Sequence, residues 1–306
     1  MSVIDELKRI VGAYGGMLFE ECLLRKYSTI GIGGMAGAVY QPLSEVGLEQ
    51  ALERLKNIEA RYFLTGNGSN VLFPDRGFDG AVIRLNSSLF STERAGRTVT
   101  VSSGLRLSAL LNECMVMGLS GLECLSGIPA TVGGAIKNNA SARGGGIAGP
   151  LRRILVLTSD GKRMWFESSE LREEYRALSW PGKGIILRAV FDLSESSSGE
   201  VRKNIKKVFL EKLKKQPCEK RSLGCVFKNP VLGNRLAWEL IDEAGMRGSR
   251  EGGAAVSEKH ANFIVNEGGA TSGDVIRLMN NIRSAVNRKF NLELEEEIEI
   301  LSLPGR

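Results

Sequence analysis

Glycine clusters constrain this chain most, because a dense run of glycine cannot continue as regular helix or strand. Nine glycines fall in the 32 residues from Gly118 to Gly149, and another cluster, earlier in the chain, is Leu64-Thr65-Gly66-Asn67-Gly68-Ser69-Asn70. Glycine reaches positive φ and lets another backbone or a ligand approach closely, so such clusters make turns and cradles. In the first cluster two glycines one residue apart let successive N–H groups converge, and Ser69 and Asn70 add side-chain donors. Such a nest suits a phosphate or pyrophosphate, although a tight turn is the plainer alternative. The segment is neither GxGxxG nor GxxxxGK[ST], so the Rossmann and P-loop fingerprints both fail.

The second cluster contains Gly127-Ile128-Pro129-Ala130-Thr131-Val132-Gly133-Gly134 and, further on, Asn138-Asn139-Ala140. Pro129 fixes one bend, Gly133-Gly134 permits close approach, and Thr131 and Asn139 supply polar contacts. Two glycine clusters rich in Asn, Ser and Thr point to one extended ligand with two phosphates. A dinucleotide has that shape.

Charge narrows the partners. The formal net charge of the 306 residues is +6, but residues 202–221 alone hold nine Lys or Arg against two Glu, a net +7. The rest sums to −1, so the chain is locally basic. Nucleic acid is one partner for such a stretch, but it lacks aromatic interleaving beyond Phe209 and reads as one helix. A solvated face is the default. The sharper expectation is that the stretch attracts multiply anionic small molecules.

Composition removes several chemistries. The single histidine, His260, excludes a HExxH zinc site and a multi-histidine metal cage, and no metal site is expected. In VSEKHANFIVN it reads as a hydrogen-bonded structural residue before a strand. The five cysteines (22, 114, 124, 218 and 225) are odd in number and form no CxxC pair, which favours free thiols in a reducing compartment. Asp5 and Glu6 interrupt any signal-peptide core, and no window approaches the ~18 apolar residues of a membrane span. The expected location is the cytoplasm, with no membrane contact and no obligate protein partner.

Periodicity predicts an α+β chain. Helices are expected at 3–14, 46–57 after Ser44 as N-cap, 107–118 closed by Gly118, 235–245 and 274–290, with a basic helix ending before Pro217. Strands are expected at 35–40, 61–64, 81–85, 98–104, 184–193, 262–266 and 298–301, and a hairpin at 152–166 turning on Asp160-Gly161. The polar stretch SESSSGE, 194–200, is the best linker candidate.

Three carboxy-terminal features carry possible chemistry. Cys225 follows glycine in Gly224-Cys225-Val226-Phe227-Lys228-Asn229-Pro230, although free cysteine is usually a buried packing residue. Glu295, Glu296 and Glu297 are consecutive; in a strand Glu295 and Glu297 share a face that Glu296 does not. Nothing local singles out one of them.

Taken together, seven stretches in sequence order resemble one family, the UDP-N-acetylenolpyruvoylglucosamine reductases (MurB). They are YSTIGIGG (27–34), LTGNGSNVLF (64–73), GLSGLECLSGIPATVGGAIKNNASARGG (118–145), EYRALSW (174–180), GCVFKNP (224–230), ELIDEAGMRGSREGGAAVSEKHANFIVN (239–266) and LEEEIEIL (294–301). The resemblance implies an FAD-binding domain of the vanillyl-alcohol-oxidase (PCMH) type over 1–200, in two α+β subdomains of about 1–90 and 91–200. A C-terminal α+β substrate-binding domain is implied over 201–306. It assigns the glycine clusters to tightly bound FAD, through Gly66, Asn67, Gly68, Ser69, Asn70, Ile128, Thr131, Gly133, Gly134, Asn139 and Ala140. It also implies NADPH as co-substrate and UDP-N-acetylenolpyruvoylglucosamine as substrate, whose enolpyruvyl group becomes the lactyl ether of UDP-N-acetylmuramate. Another FAD-dependent oxidoreductase of the superfamily, or a non-catalytic nucleotide or nucleic-acid binder using 202–221, is the alternative. GCVFKNP and AAVSEKHANFIVN argue against the first, and the missing aromatic interleaving of 202–221 argues against the second.

The same resemblance gives roles to single residues. Arg176 holds the substrate carboxylate, Cys225 stands where most members have a serine proton donor, and Glu297 polarises the intermediate. Tyr175, Lys228 and Asn229 match substrate-side positions. A thiol, with a reference pKa of about 8.5, is a better-matched acid at neutral pH than an alcohol. Only ALSWPGK separates Arg176 from the strand at 184, as in the shorter-loop subclass that lacks a tyrosine-bearing loop. Ser141 stands where glycine is usual.

Overall fold

The computed structural model describes residues 2–85, 92–142, 144–230 and 235–301. Contacts divide it into two units, each discontinuous in sequence. The first comprises 1–20, 37–67 and 80–211, and the second 21–36, 68–79 and 212–306.

In the first unit, helix α1 (Val3–Tyr14) starts with a capping box in which Ser2 and Asp5 exchange side-chain and backbone bonds. Helix α2 (Glu45–Asn57) starts on Ser44, whose hydroxyl accepts from Gly47 N. Both lie on a sheet of β1 (Met17–Leu23), β2 (Met35–Gln41), β3 (Tyr62–Thr65) and β4 (Phe78–Arg84), ordered β1-β2-β4-β3. The pair β3–β4 is parallel, and its crossover, residues 66–77, contains no helix.

A second sheet holds β5 (Thr92–Ala95), β6 (Thr98–Ser102), β7 (Leu151–Thr158), β8 (Arg163–Glu167) and β11 (Gly184–Asp192), ordered β8-β7-β11-β6-β5 and antiparallel throughout. Between β8 and β11 the chain makes a small hairpin of β9 (Arg172–Glu174) and β10 (Ala177–Ser179). Helices α3 (Leu107–Met117) and α4 (Val132–Lys137) contribute buried residues to the core on one face of the five-stranded sheet. Alternation on β7 explains how one sheet serves two cores. Ile154 and Val156 join Leu110, Leu111 and Ile136, while Leu155 and Leu157 join Leu7, Leu48 and Ile83. The two sheets of this unit are therefore packed together through β7. Arg163 and Arg188 add ion pairs to Glu45 at the start of α2.

The expected linker at 194–200 is structured instead. Ser194–Glu195 pairs with Leu119–Ser120, and helix α5 (Ser198–Lys215) has already begun by Ser198. The cause is long-range: Ser196 N donates to the carbonyl of Gly118, the left-handed residue that ends α3. A Cβ on Gly118 would stand 2.6 Å from the Ser196 carbonyl oxygen, so glycine is needed there for close approach as well as for φ. Small polar residues alone do not distinguish a linker from an edge that pairs.

In the second unit, β12 (Arg221–Cys225), β13 (Arg250–Glu251), β14 (Ala254–Val256) and β15 (Phe263–Asn266) form a sheet ordered β12-β15-β14-β13. Helices α6 (Ala237–Glu243) and α7 (Ser272–Phe290) supply Leu240, Ile241, Leu278 and Ile282 to its core. Residues 21–36 and 68–79 belong here through specific bonds. Thr29 Oγ1 donates to Ser222 O at 2.6 Å, Asn266 Nδ2 to Ile30 O at 2.9 Å, and Val71–Leu72 pairs in parallel with Glu299–Ile300. Asp75 accepts from Ser272 N at 2.9 Å at the start of α7.

Candidate active site

The first unit brings the two glycine clusters together. Gly66 and Asn67 follow β3, and Asn67 Nδ2 donates to Pro129 O at 2.7 Å. The space a Cβ on Gly66 would need is filled by Thr131 Oγ1. Thr131 is buried as the N-cap of α4, its hydroxyl accepting from Gly134 N at 3.3 Å. Gly133 lies on the 103–105 turn: its N–H donates to Ser103 O at 2.8 Å, and a Cβ there would stand 2.8 Å from Ser103 Cβ. Ile128 is half-buried, whereas Ala140 is a core residue whose N–H closes the end of α4 on Ala135 O.

This arrangement suits a flavin dinucleotide. The loops touch through glycines that tolerate no side chain, and the hydroxyl of Ser103, buried beside Gly133, has no hydrogen-bond partner among the described residues. A buried hydroxyl left unpaired costs about 1–3 kcal/mol, which a polar ligand atom would relieve.

Asn139 connects the second cluster to the β9–β10 hairpin. It has φ 40°, and its Nδ2 donates to Glu173 Oε1 and Glu174 O, both at 3.1 Å. Tyr175 and Arg176 form the two-residue turn, Tyr175 exposed and Arg176 half-buried with φ 59°. A side-chain-bearing residue costs roughly 1–2 kcal/mol in that left-handed region and holds it only where neighbours fix it.

The second unit gathers a different group. The β12–β15 pairing shifts register between Ser222 and Cys225, with Gly224 at φ 83°. Such a bulge re-aims the side chains beyond it. Past Cys225 the peptide of Phe227 is clamped by the buried Asn262 side chain, which accepts from Phe227 N at 3.0 Å and donates to Phe227 O at 2.7 Å. On the other side Lys228 N donates to Glu295 O at 2.9 Å and Glu297 N to Val226 O at 2.8 Å. Half-buried Cys225 and Glu297 thus belong to neighbouring segments joined through Val226 and Phe227.

The three consecutive glutamates separate here. Glu295 pairs with Lys228 Nζ at 3.3 Å and Glu296 with Arg283, while the Glu297 carbonyl accepts from Asn70 Nδ2 at 3.2 Å. Ser69 and Asn70 are half-buried, and a Cβ on Gly68 would overlap the Tyr27 carbonyl. Ser28, beside Gly68, has a second buried hydroxyl without a partner among the described residues. Asn229 Oδ1 accepts from Ala237 N at 2.9 Å, at the start of α6.

His260 is a structural residue packed on aromatic rings, and its carbonyl accepts from Phe263 N at 3.0 Å. Its ring lies among Trp238 and Phe263, with centroids 6.2 and 4.8 Å away, and Nδ1 has no partner among the described residues. Burial, reinforced by Arg247, lowers its pKa to about 4, so it is neutral at pH 7. Cys114 is a core thiol that burial pushes up to about 12.

Nothing local in the sequence marks Asn262 or Ser103 as functional. Asn262 falls at the start of the expected strand 262–266, and no local pattern shows a hydroxyl left without a partner. Among the described residues no group of three or more His, Cys, Asp or Glu is placed to hold a metal ion.

Comparisons with known proteins match the amino-terminal and carboxy-terminal parts of the chain separately. A family profile described as "UDP-N-acetylenolpyruvoylglucosamine reductase, C-terminal domain" matches residues 216–301, and one described as "FAD binding domain" matches 36–167. The UDP-N-acetylenolpyruvoylglucosamine reductase 1 of Bacillus cereus is 38% identical over 304 residues, 98% of each chain. The reductase of Carboxydothermus hydrogenoformans is 39% identical over 279 residues, 91% of this chain and 92% of its own. Among solved structures, the MurB of Thermus caldophilus aligns with a TM-score of 0.79 at 36% identity, covering 94% of this chain and 99% of the other.

Proposed function

Since the chain belongs to the UDP-N-acetylenolpyruvoylglucosamine reductase family, we propose that its two groups of polar residues divide one reduction between them. The protein is an FAD-dependent oxidoreductase of peptidoglycan synthesis that reduces the enolpyruvyl group of UDP-N-acetylenolpyruvoylglucosamine to the lactyl ether of UDP-N-acetylmuramate. The bound flavin supplies the two-electron chemistry that links a nicotinamide reductant, which we take to be NADPH, to an enol-ether double bond.

In our reading the residues of this chain bind, orient and protonate. Gly66, Asn67, Gly68, Ser69 and Asn70 hold the cofactor together with Ile128, Thr131, Gly133, Gly134, Asn139 and Ala140. The Arg176 fork grips the substrate carboxylate and offsets the charge that grows beside it during reduction. Cys225 Sγ gives its proton to the carbon bearing that carboxylate and recovers one from solvent afterwards. Glu297 polarises the intermediate, and Lys228, Asn229 and Tyr175 make substrate contacts. We assign the FAD-binding domain, of the vanillyl-alcohol-oxidase type, to about 1–200 and the substrate-binding domain to 201–306.

We place the reaction in the cytoplasm. All five cysteines are free, as suits a reducing compartment, and among the described residues no helix is long and apolar enough to cross a membrane.

The observation supporting this reading is the backbone bond from Glu297 N to Val226 O, which ties the Glu297 segment to the residue after Cys225; in our reading the acid and the carboxylate act together from these two segments. The test is optical. Purified protein should be yellow, bleach with NADPH in the absence of oxygen, and regain colour with UDP-N-acetylenolpyruvoylglucosamine. A colourless protein inert to NADPH would overturn it.

A further inference from the structure

The guanidinium of Arg176 lies over the Tyr175 ring, 5.5 Å from its centroid, and is hydrogen-bonded to Ser141. Its Nη1 donates to the carbonyl oxygen of Ser141 at 3.3 Å and to the Ser141 hydroxyl at 3.2 Å. Both acceptors belong to one exposed residue, in the short strand Ser141–Ala142 that pairs with Gly145–Gly146. Two residues earlier Asn139 grips the other arm of the same hairpin, at Glu173 and Glu174. The 139–141 turn therefore fixes the hairpin backbone through Asn139 and the arginine head group through Ser141.

These two attachments do different jobs. The Asn139 bonds hold Glu173–Glu174 against the turn and so help to keep Arg176 at φ 59°. They leave the long arginine side chain its own torsional freedom. The Ser141 contacts remove that freedom at its far end, because two acceptors on one nitrogen fix the plane of a rigid, planar group. Bidentate recognition of a carboxylate depends on that plane.

We propose that Ser141 is a positioning residue: its hydroxyl sets the orientation in which Arg176 meets the carboxylate of the substrate. The inference rests on the role of Arg176 in the proposed function. Ser141 touches neither substrate nor reacting atoms in this account and acts through Arg176.

The test compares two ligands on the purified holoenzyme, followed by the perturbation of flavin absorbance. UDP-N-acetylenolpyruvoylglucosamine carries the carboxylate, and UDP-N-acetylglucosamine lacks it. Ser141→Ala should weaken the first roughly fivefold, the size of one net hydrogen bond, and leave the second unchanged. Ser141→Thr, which keeps the hydroxyl, should restore wild-type affinity. In an Arg176→Ala background, Ser141→Ala should add nothing. Equal weakening of both ligands would overturn the proposal by showing a general structural effect. So would an unchanged Ser141→Ala beside a weakened Arg176→Ala. If Arg176→Ala itself binds the enolpyruvyl ligand normally, the role of Arg176 falls first and that of Ser141 with it.

Discussion

The backbone N–H of Glu297 donates to the carbonyl oxygen of Val226 at 2.8 Å, tying the glutamate to the residue directly after Cys225. Asn262 clamps the next peptide, that of Phe227, from the opposite side. The thiol-bearing segment is thus held between a side-chain amide and the 295–297 segment by bonds to its backbone. These bonds fix where the main chain of Cys225 and Glu297 stands without depending on what their side chains are. A cysteine can occupy this position as readily as another small proton donor, because these bonds read the main chain.

Replacing the thiol therefore separates chemistry from folding. Cys225→Ala should leave flavin reduction by NADPH within about twofold of wild type and abolish reduction of the enolpyruvyl group. A lost general acid costs about 10²–10⁴ in rate. Cys225→Ser should retain measurable turnover. Stopped-flow recording of the two half-reactions checks both, and full turnover in the alanine variant would remove Cys225 from the mechanism.

The glycine cradle makes a sharper steric prediction. A Cβ at Gly133 would stand 2.8 Å from Ser103 Cβ, and neither atom can rotate away, since each is fixed to its backbone. Gly133→Ala should displace the 103–105 turn, with a cost of about 1–3 kcal/mol, and reduce retained FAD about tenfold. Adding Ser103→Gly should recover the flavin, whereas adding Ser103→Ala should not, because alanine keeps the clashing atom. The ratio of flavin to protein absorbance in each purified variant reads the result.

What the sequence disclosed follows the range of the forces involved. Helix α3 ends at Met117 because Gly118 can turn left-handed, and α7 starts where Thr271 and Asp274 cap it. Both are local events, written within four residues. The glycine clusters were legible for the same reason. The Thr29–Ser222 bond joins residues 193 apart, so no local pattern places 21–36 with the C-terminal half. Likewise nothing near Glu295, Glu296 and Glu297 tells them apart. Lys228 and Arg283, which engage the first two, arrive from other elements.

His260 should make the fold sensitive to mild acid. Its pKa is lowered from 6.5 to about 4 by burial and by Arg247, so below pH 6.5 the unfolded chain binds a proton that the folded chain refuses. The stability it contributes is complete above pH 6.5 and falls as the pH drops from there towards 4. At pH 5 the loss should be about 2 kcal/mol. Urea unfolding at pH 7 and pH 5 measures it, and His260→Gln should flatten that difference whatever its effect at pH 7. An equal pH slope in both proteins would assign the acid sensitivity to other groups.

Helix α5 carries seven Lys or Arg against two Glu, and of its eighteen residues only Val201 is buried. Lys206, Lys207, Lys214 and Lys215 are all exposed. A cluster of like charges this dense raises the local concentration of multiply anionic ligands, and NADPH and a UDP-sugar are both of that kind. Steering of this sort acts over a Debye length, about 8 Å at physiological salt, and fades as ions are added. KM for both substrates should therefore rise between about 50 and 500 mM salt while kcat changes little. Reversing the four lysines to glutamate should raise KM at low salt and flatten the dependence. Because none of the four is buried, the variant should unfold at the same urea concentration as wild type. An unchanged salt response would leave α5 as a solvated face.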